Sequence, residues 1–238
     1  HKFIIMKKII LFILLLSNLG LTAQSLIPTR IGIKLGTNLD NVRIIAEEGV
    51  QPTSNSSISG IIGGLCVYIP LSDKWYINPE LLYAQKGSPF SYNFIHDYTV
   101  NERTEYEIEN TLVLSYLQLN PTLSFKANDY LALNFGPSAA FLIGENYTIN
   151  KELITGNEGT GVNELLEDDL YSSESLDIGI NVGITYFIKD NLLLEAMAYT
   201  GLIDVGELEK PYQQNTGSDS AEFKIRNQGV TLVFSYLF

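Results

Sequence analysis

The chain is poor in the residues that carry most familiar chemistry. A single cysteine, Cys66, in 238 residues excludes an internal disulfide framework and any metal site built on several thiolates. There are two histidines, and His96 is the only one beyond the first residue. Basic side chains number 15 against 27 acidic, a formal charge of −12, which argues against nucleic acid as a partner because phosphate binding needs a basic surface. No apolar run reaches the ~20 residues of a spanning helix, and a mean hydropathy of +0.09 is too low for a helical membrane bundle. Conversely, 18% charge with 11% aromatics is too apolar for a disordered chain. No G-x-S-x-G, H-E-x-x-H or phosphate-binding glycine loop occurs, nor any fixed-period repeat or interdomain linker. The length suits one domain.

Met6-Lys7-Lys8, the apolar stretch Ile9 to Leu16, and Leu21-Thr22-Ala23 before Gln24 have the order of a signal peptide: positive segment, short hydrophobic segment, small-residue cleavage point. Residues 1–23 are therefore expected to be an upstream extension and export signal, and 24–238 the mature domain. No cysteine follows the hydrophobic segment to carry a lipid.

From Arg30 onward the hydrophobic period is 2, the signature of strands with two unlike faces. Leu176, Ile178, Ile180, Val182, Ile184, Tyr186 and Ile188 share one face, with Asp177, Gly179, Asn181, Gly183 and Thr185 on the other. The same alternation runs through Ile31–Leu35, Leu117–Phe125, Leu131–Phe141 and Val230–Phe238, and less regularly through Ile58–Ile69, Trp75–Lys86 and Leu192–Leu202. That predicts eight strands, the first near Arg30–Leu39 and the last near Lys224–Phe238. Tight polar turns at Pro70–Lys74, Ala127–Asp129 and Lys189–Asn191 alternate with four long segments, Asp40–Ser57, Gly87–Glu109, Gly144–Ser173 and Ile203–Glu222. Pro121 and Pro137 fall inside two strands, where each removes a ladder hydrogen bond.

Alternation alone also fits a soluble barrel with its apolar face inward. Three features favour apolar-out. The polar face is rich in Gly, Ala, Ser, Thr and Asn, which suit the interior of a narrow barrel. The apolar faces run for several positions without charge, as a lipid face requires. Aromatics (Trp75, Tyr76, Phe125, Tyr130, Tyr186, Tyr236, Phe238) gather at the turn ends, where an interfacial girdle would lie. The expected fold is all-β: an eight-stranded antiparallel up-and-down transmembrane β-barrel over 24–238, with short periplasmic turns and long extracellular loops.

Ile69-Pro70-Leu71-Ser72-Asp73-Lys74, then Pro79-Glu80-Leu81-Leu82-Tyr83-Ala84-Gln85-Lys86-Gly87, then Ser115-Tyr116-Leu117-Gln118-Leu119-Asn120-Pro121 resemble the PorT-like family of outer-membrane β-barrels. The resemblance implies an OmpX-like or OmpA-like barrel in the outer membrane of a Gram-negative bacterium, and a link to protein secretion through the family's founding member. With the apolar faces outward, outer-membrane lipid and lipopolysaccharide are the expected surroundings. Phe234, Tyr236 and Phe238 are similar to the C-terminal signal read by barrel-assembly machinery during biogenesis.

With apolar faces outward, Lys34, Glu80, Lys86 and Glu195 are expected to form a charge network in the lumen, with Glu195 as the cross-barrel partner and Arg226 as a further candidate. An ion in a filled lumen must pair or be hydrogen-bonded. The acidic excess gathers in the long segments: Glu145 to Asp177 holds nine acids against Lys151 alone. Such clusters read first as a solvated surface that repels other acidic polymers, with Ca²⁺ or divalent-bridged lipopolysaccharide as the alternative, and no EF-hand spacing is present. Cys66 reads as a small packing residue facing the lumen, and His96, near Asp97 and Ser91, as a surface residue. No cofactor, catalytic set or metal site is expected. The reading is a non-enzymatic barrel presenting acidic loops to a surface partner or for envelope integrity. The alternatives are an accessory role in a secretion complex and a lipid-modifying enzyme.

Overall fold

The computed structural model describes residues 29–46, 54–99, 102–155, 171–209 and 222–238; the leader expected over 1–23 lies outside them. Eleven strands occur there: β1 (Arg30–Ala46), β2 (Ser54–Asn55), β3 (Ile58–Pro70), β4 (Trp75–Thr99), β5 (Glu102–Lys126), β6 (Leu131–Thr155), β7 (Tyr171–Ser173), β8 (Leu176–Lys189), β9 (Leu192–Gly201), β10 (Gly206–Glu209) and β11 (Glu222–Leu237). Eight close into an antiparallel ring in the order β1-β3-β4-β5-β6-β8-β9-β11, with β11 returning to β1. The short strands β2, β7 and β10 are annexes at the end away from the tight turns, β2 on β4 and the β7–β10 pair on β11. Closure removes the free edges that a sheet in lipid could not tolerate.

Parity sets the two faces. On β1, Ile31, Ile33, Leu35 and Leu39 are exposed while Lys34, Asn38, Asp40 and Val42 are buried. On β11, Val230, Leu232, Phe234 and Tyr236 are exposed, as is Phe238 just beyond it, while Val233, Ser235 and Leu237 are buried. Leu35, the outermost of these aliphatics at 72% exposed, lies opposite Phe234. Around the ring the apolar face therefore points to lipid.

The strands run further than the sequence pattern predicts. β4 and β5 pair residue by residue from Trp75↔Phe125 to Asp97↔Arg103, so most of the segment Gly87–Glu109, expected as loop, is a continuous ribbon. β1 likewise continues to Ala46 and β6 to Thr155. In this projecting part the polarity inverts. Val42, Phe90, Ile108, Leu112, Leu114 and Ile225 form a buried apolar core inside the ring, while Arg43 and Glu109 are exposed outside it. A register shift between Ser115 and Tyr116, opposite Gly144 and Leu142, is how β6 follows the change. Below it the even residues Asn134, Ser138 and Ala140 point inward; above it the odd residues Tyr147 and Ile149 pack on the core. A bulge adds one residue to one strand and so reverses parity beyond it. Apolar-out gives way to apolar-in where lipid gives way to water.

The prolines align. Pro79 pairs with Pro121 across β4–β5. The β5–β6 register, Leu119↔Ala139 and Leu123↔Phe135, sets Pro121 opposite Pro137. Proline has no N–H to donate, so superimposing the residues concentrates the missing ladder bonds at one level of the wall.

Candidate functional site

The lumen is built in layers, read off the inward positions of β1 and β4 in sequence order. At the turn end, Cys66, Tyr68, Tyr76, Leu193 and Leu237 form an aromatic and aliphatic cap, with the Tyr68 and Tyr76 rings stacked at 4.8 Å. Next comes a charged layer. The Lys34 ammonium sits between two carboxylates, 2.6 Å from Glu80 Oε1 and 2.6 Å from Glu195 Oε2. Lys34, Glu80 and Glu195 are 5%, 7% and 2% exposed. Asn78 and Asn120 donate to the two Glu80 oxygens at 3.0 and 3.1 Å, and Ser235 donates to Glu195. A thin apolar layer of Ile62, Leu82, Ala84 and Val233 follows. Above it lies a second charged layer, where the Lys86 ammonium is 3.0 Å from Asp177 Oδ2 and 3.7 Å from the Tyr199 ring centroid. Tyr199 and Asn227 also donate to Asp177, and Asn38 donates to the buried Asp40. The apolar core of the projecting part closes the far end.

Lys34, Glu80, Glu195, Lys86 and Asp177 each have a counterion, the arrangement that makes buried charge tolerable, and Asp40 accepts an amide N–H from Asn38. The four residues expected in the lumen are all there, but in two groups rather than one. Glu195 partners Lys34, and Lys86 partners Asp177 instead of Glu80, which lies in the lower layer. Asp177, counted by sequence among the surface acids, is fully buried. Asp177 and Asp40 were both detectable by parity, since Asp177 shares the face of Asn181 and Thr185, and Asp40 that of Lys34. Arg226 is not lumenal. It is an even residue of β11, on the outward face with Val230 and Leu232, and its guanidinium binds Asp204 at 2.6 Å in the projecting part.

Trp75, Tyr130, Tyr186, Tyr236 and Phe238 are exposed at the turn end, and Trp75 leans on Phe125 with centroids 4.8 Å apart. Tyr76 is the exception to the expected girdle: its even parity turns it into the cap. Phe234, Tyr236 and Phe238 share the lipid face, Tyr236 and Phe238 meeting edge to face at 5.2 Å. Cys66 is buried beside the cap. His96 stands opposite Thr104 in the β4–β5 ribbon; its side chain lies outside the described residues, as does most of the acidic stretch between Glu145 and Asp177. Among the described residues no three of His, Cys, Asp and Glu converge to hold a metal ion. At the turn-side mouth a cavity of about 190 Å³ opens beneath the cap, lined by Tyr68, Tyr76 and Phe187, with Arg30 and Lys126 among its charged residues.

A closed ring with an aliphatic belt, an aromatic girdle and a filled polar core defines an integral outer-membrane β-barrel protein. The family described as outer membrane protein beta-barrel domain matches residues 22–207, and the chain belongs to it. Among solved structures it is similar to neisserial surface protein A (10% identity, 89% of this chain and 100% of that one, TM-score 0.39). It is also similar to the outer membrane protein OprG of Pseudomonas aeruginosa (13%, 88% and 95%, 0.39) and to the outer membrane protease OmpT of Escherichia coli (11%, 88% and 96%, 0.35). At this level of likeness none of the three lends its activity to this chain. No curated protein matches it.

Proposed function

We propose that the protein is a non-enzymatic, non-conducting barrel whose projecting β-structure is a platform for contact at the cell surface. The observation that carries this is the polarity inversion. The wall continues above the lipid belt as paired strands around a dry core of Val42, Phe90, Ile108, Leu112 and Leu114, which blocks solute passage and stiffens what would otherwise be mobile loops. Outward-facing acids such as Glu109 supply a rim that repels other anionic polymers and suits a cationic partner or a divalent-bridged lipopolysaccharide surface. Within the family, the segment Pro79 to Gly87 supports a place in the PorT-like branch.

The test replaces residues 92–106 with a two-residue turn. The barrel should still fold and insert. Crosslinking from a photoreactive residue at position 109 in whole cells should capture a surface partner in the parent and lose it in the trimmed protein. Equal capture by both proteins would refute the platform, and steady single-channel conductance in planar bilayers would refute the closed lumen. Capture of a secretion complex would assign the platform to secretion, and altered lipid A dependent on His96 would replace the reading with an enzymatic one.

A further inference from the structure

The lower charged layer is one cation short. Its ionisable groups are Lys34, Glu80 and Glu195, a net charge of −1 when all are ionised, enclosed between the aromatic cap and the layer of Ile62, Leu82, Ala84 and Val233. Hydrogen bonds do not remove that excess. They leave a second mark beside it. Asn78 and Asn120 spend their N–H groups on Glu80, and Gln118 donates to Asn120 Oδ1 at 3.0 Å. Asn78 Oδ1, Gln118 Oε1, Thr122 Oγ1 and Ser138 Oγ are buried with no hydrogen-bond partner. Register pairs Asn78 with Thr122, one inward position from Glu80, while Gln118 lies ~13 Å from Thr122 along β5. Gln118 and Thr122 flank Asn120 on the inward face of β5, Ser138 lies across from it on β6, and Asn78 is next to Glu80 on β4. The four residues are at most 4% exposed.

Unfilled oxygens are costly in a dry interior, and here they adjoin an uncompensated negative charge. A species that satisfies both conditions at once is a small hard cation. No three acidic, cysteine or histidine side chains converge among the described residues, which disfavours a divalent ion and its need for charged ligands. We infer that the lower lumen binds one alkali-metal cation beside the Glu80 carboxylate, at the unpartnered oxygens of the paired residues Asn78 and Thr122.

The experiment uses the full barrel folded in detergent, with thermal unfolding followed in RbCl, NaCl or N-methylglucamine chloride at equal ionic strength. The alkali salts should raise the midpoint by a few degrees in a saturable way. Glu80→Gln, which leaves Lys34 and Glu195 as a neutral pair, should abolish the difference. Thr122→Val keeps the charge and removes one oxygen, so it should shift saturation to higher salt, and it stands as the test if Glu80→Gln does not fold. Rubidium anomalous scattering from crystals should place a peak beside Glu80. Equal midpoints in all three salts, a salt difference that survives in Glu80→Gln, or crystals with no peak there would overturn the site. A midpoint that rises with acid but not with alkali cation would assign the missing charge to a proton and overturn it equally.

Discussion

Replacing Lys34 with methionine keeps the length of the side chain and removes the ammonium that pairs with Glu80 and Glu195. Both of its contacts are at 2.6 Å, and among the described residues no other lysine or arginine lies within ion-pair distance of Glu80 or Glu195. The donors left are neutral: Asn78 and Asn120 on Glu80, and Ser235 on Glu195. Breaking a buried pair by removing one partner costs about 3–5 kcal/mol, because the remaining charge stays desolvated. Lys34→Met should therefore lose about 3–5 kcal/mol of stability. The triple variant Lys34→Met, Glu80→Gln, Glu195→Gln removes charge from both sides of the balance and should return to within about 1 kcal/mol of the parent. Urea unfolding in lipid vesicles measures this. The chain's single tryptophan, Trp75, lies half exposed in the girdle and reports withdrawal from the interface, with gel heat-modifiability as an independent readout. A Lys34→Met barrel within about 0.5 kcal/mol of the parent, the range of an ordinary surface substitution, would refute the claim that these ions are sealed from water.

Two further substitutions probe the projecting part. Gly87 has φ of +145°, and a Cβ there would lie 1.9 Å from the Leu112 carbonyl oxygen. Gly87→Ala should cost about 1–3 kcal/mol and appear as lost amide exchange protection on β4 and β5 around that level; unchanged protection would contradict the close approach. Phe90→Ala empties part of the outer core and should cost about 3–5 kcal/mol, with dye binding to the exposed cavity. A much smaller loss would mean that this end of the lumen is wet.

Much of this was legible in one dimension. Alternation through Ile31–Leu35, Leu131–Phe141 and Leu176–Ile188 placed lipid and lumen faces correctly, because strand side chains alternate whatever the strand pairs with. The same rule already carried Asp40 and Asp177 inward, and only their position near the long segments disguised them. The projecting ribbon also left a trace: Glu105, Glu107 and Glu109 alternate with Tyr106 and Ile108. That is the pattern of a strand with its polar face in water, and it was hidden because a barrel was expected to end where its lipid-facing residues end.

The sequence by itself determined the class of fold and, along the regular strands, which residues share a face, since those depend on period and composition. Tertiary structure decided that Lys34 meets Glu80 and Glu195 while Lys86 meets Asp177, and that the wall continues beyond the lipid around a dry core. Partners across a barrel are fixed by the stagger accumulated from strand to strand, and a single bulge reverses which residues face inward. Neither quantity is local to any stretch of chain.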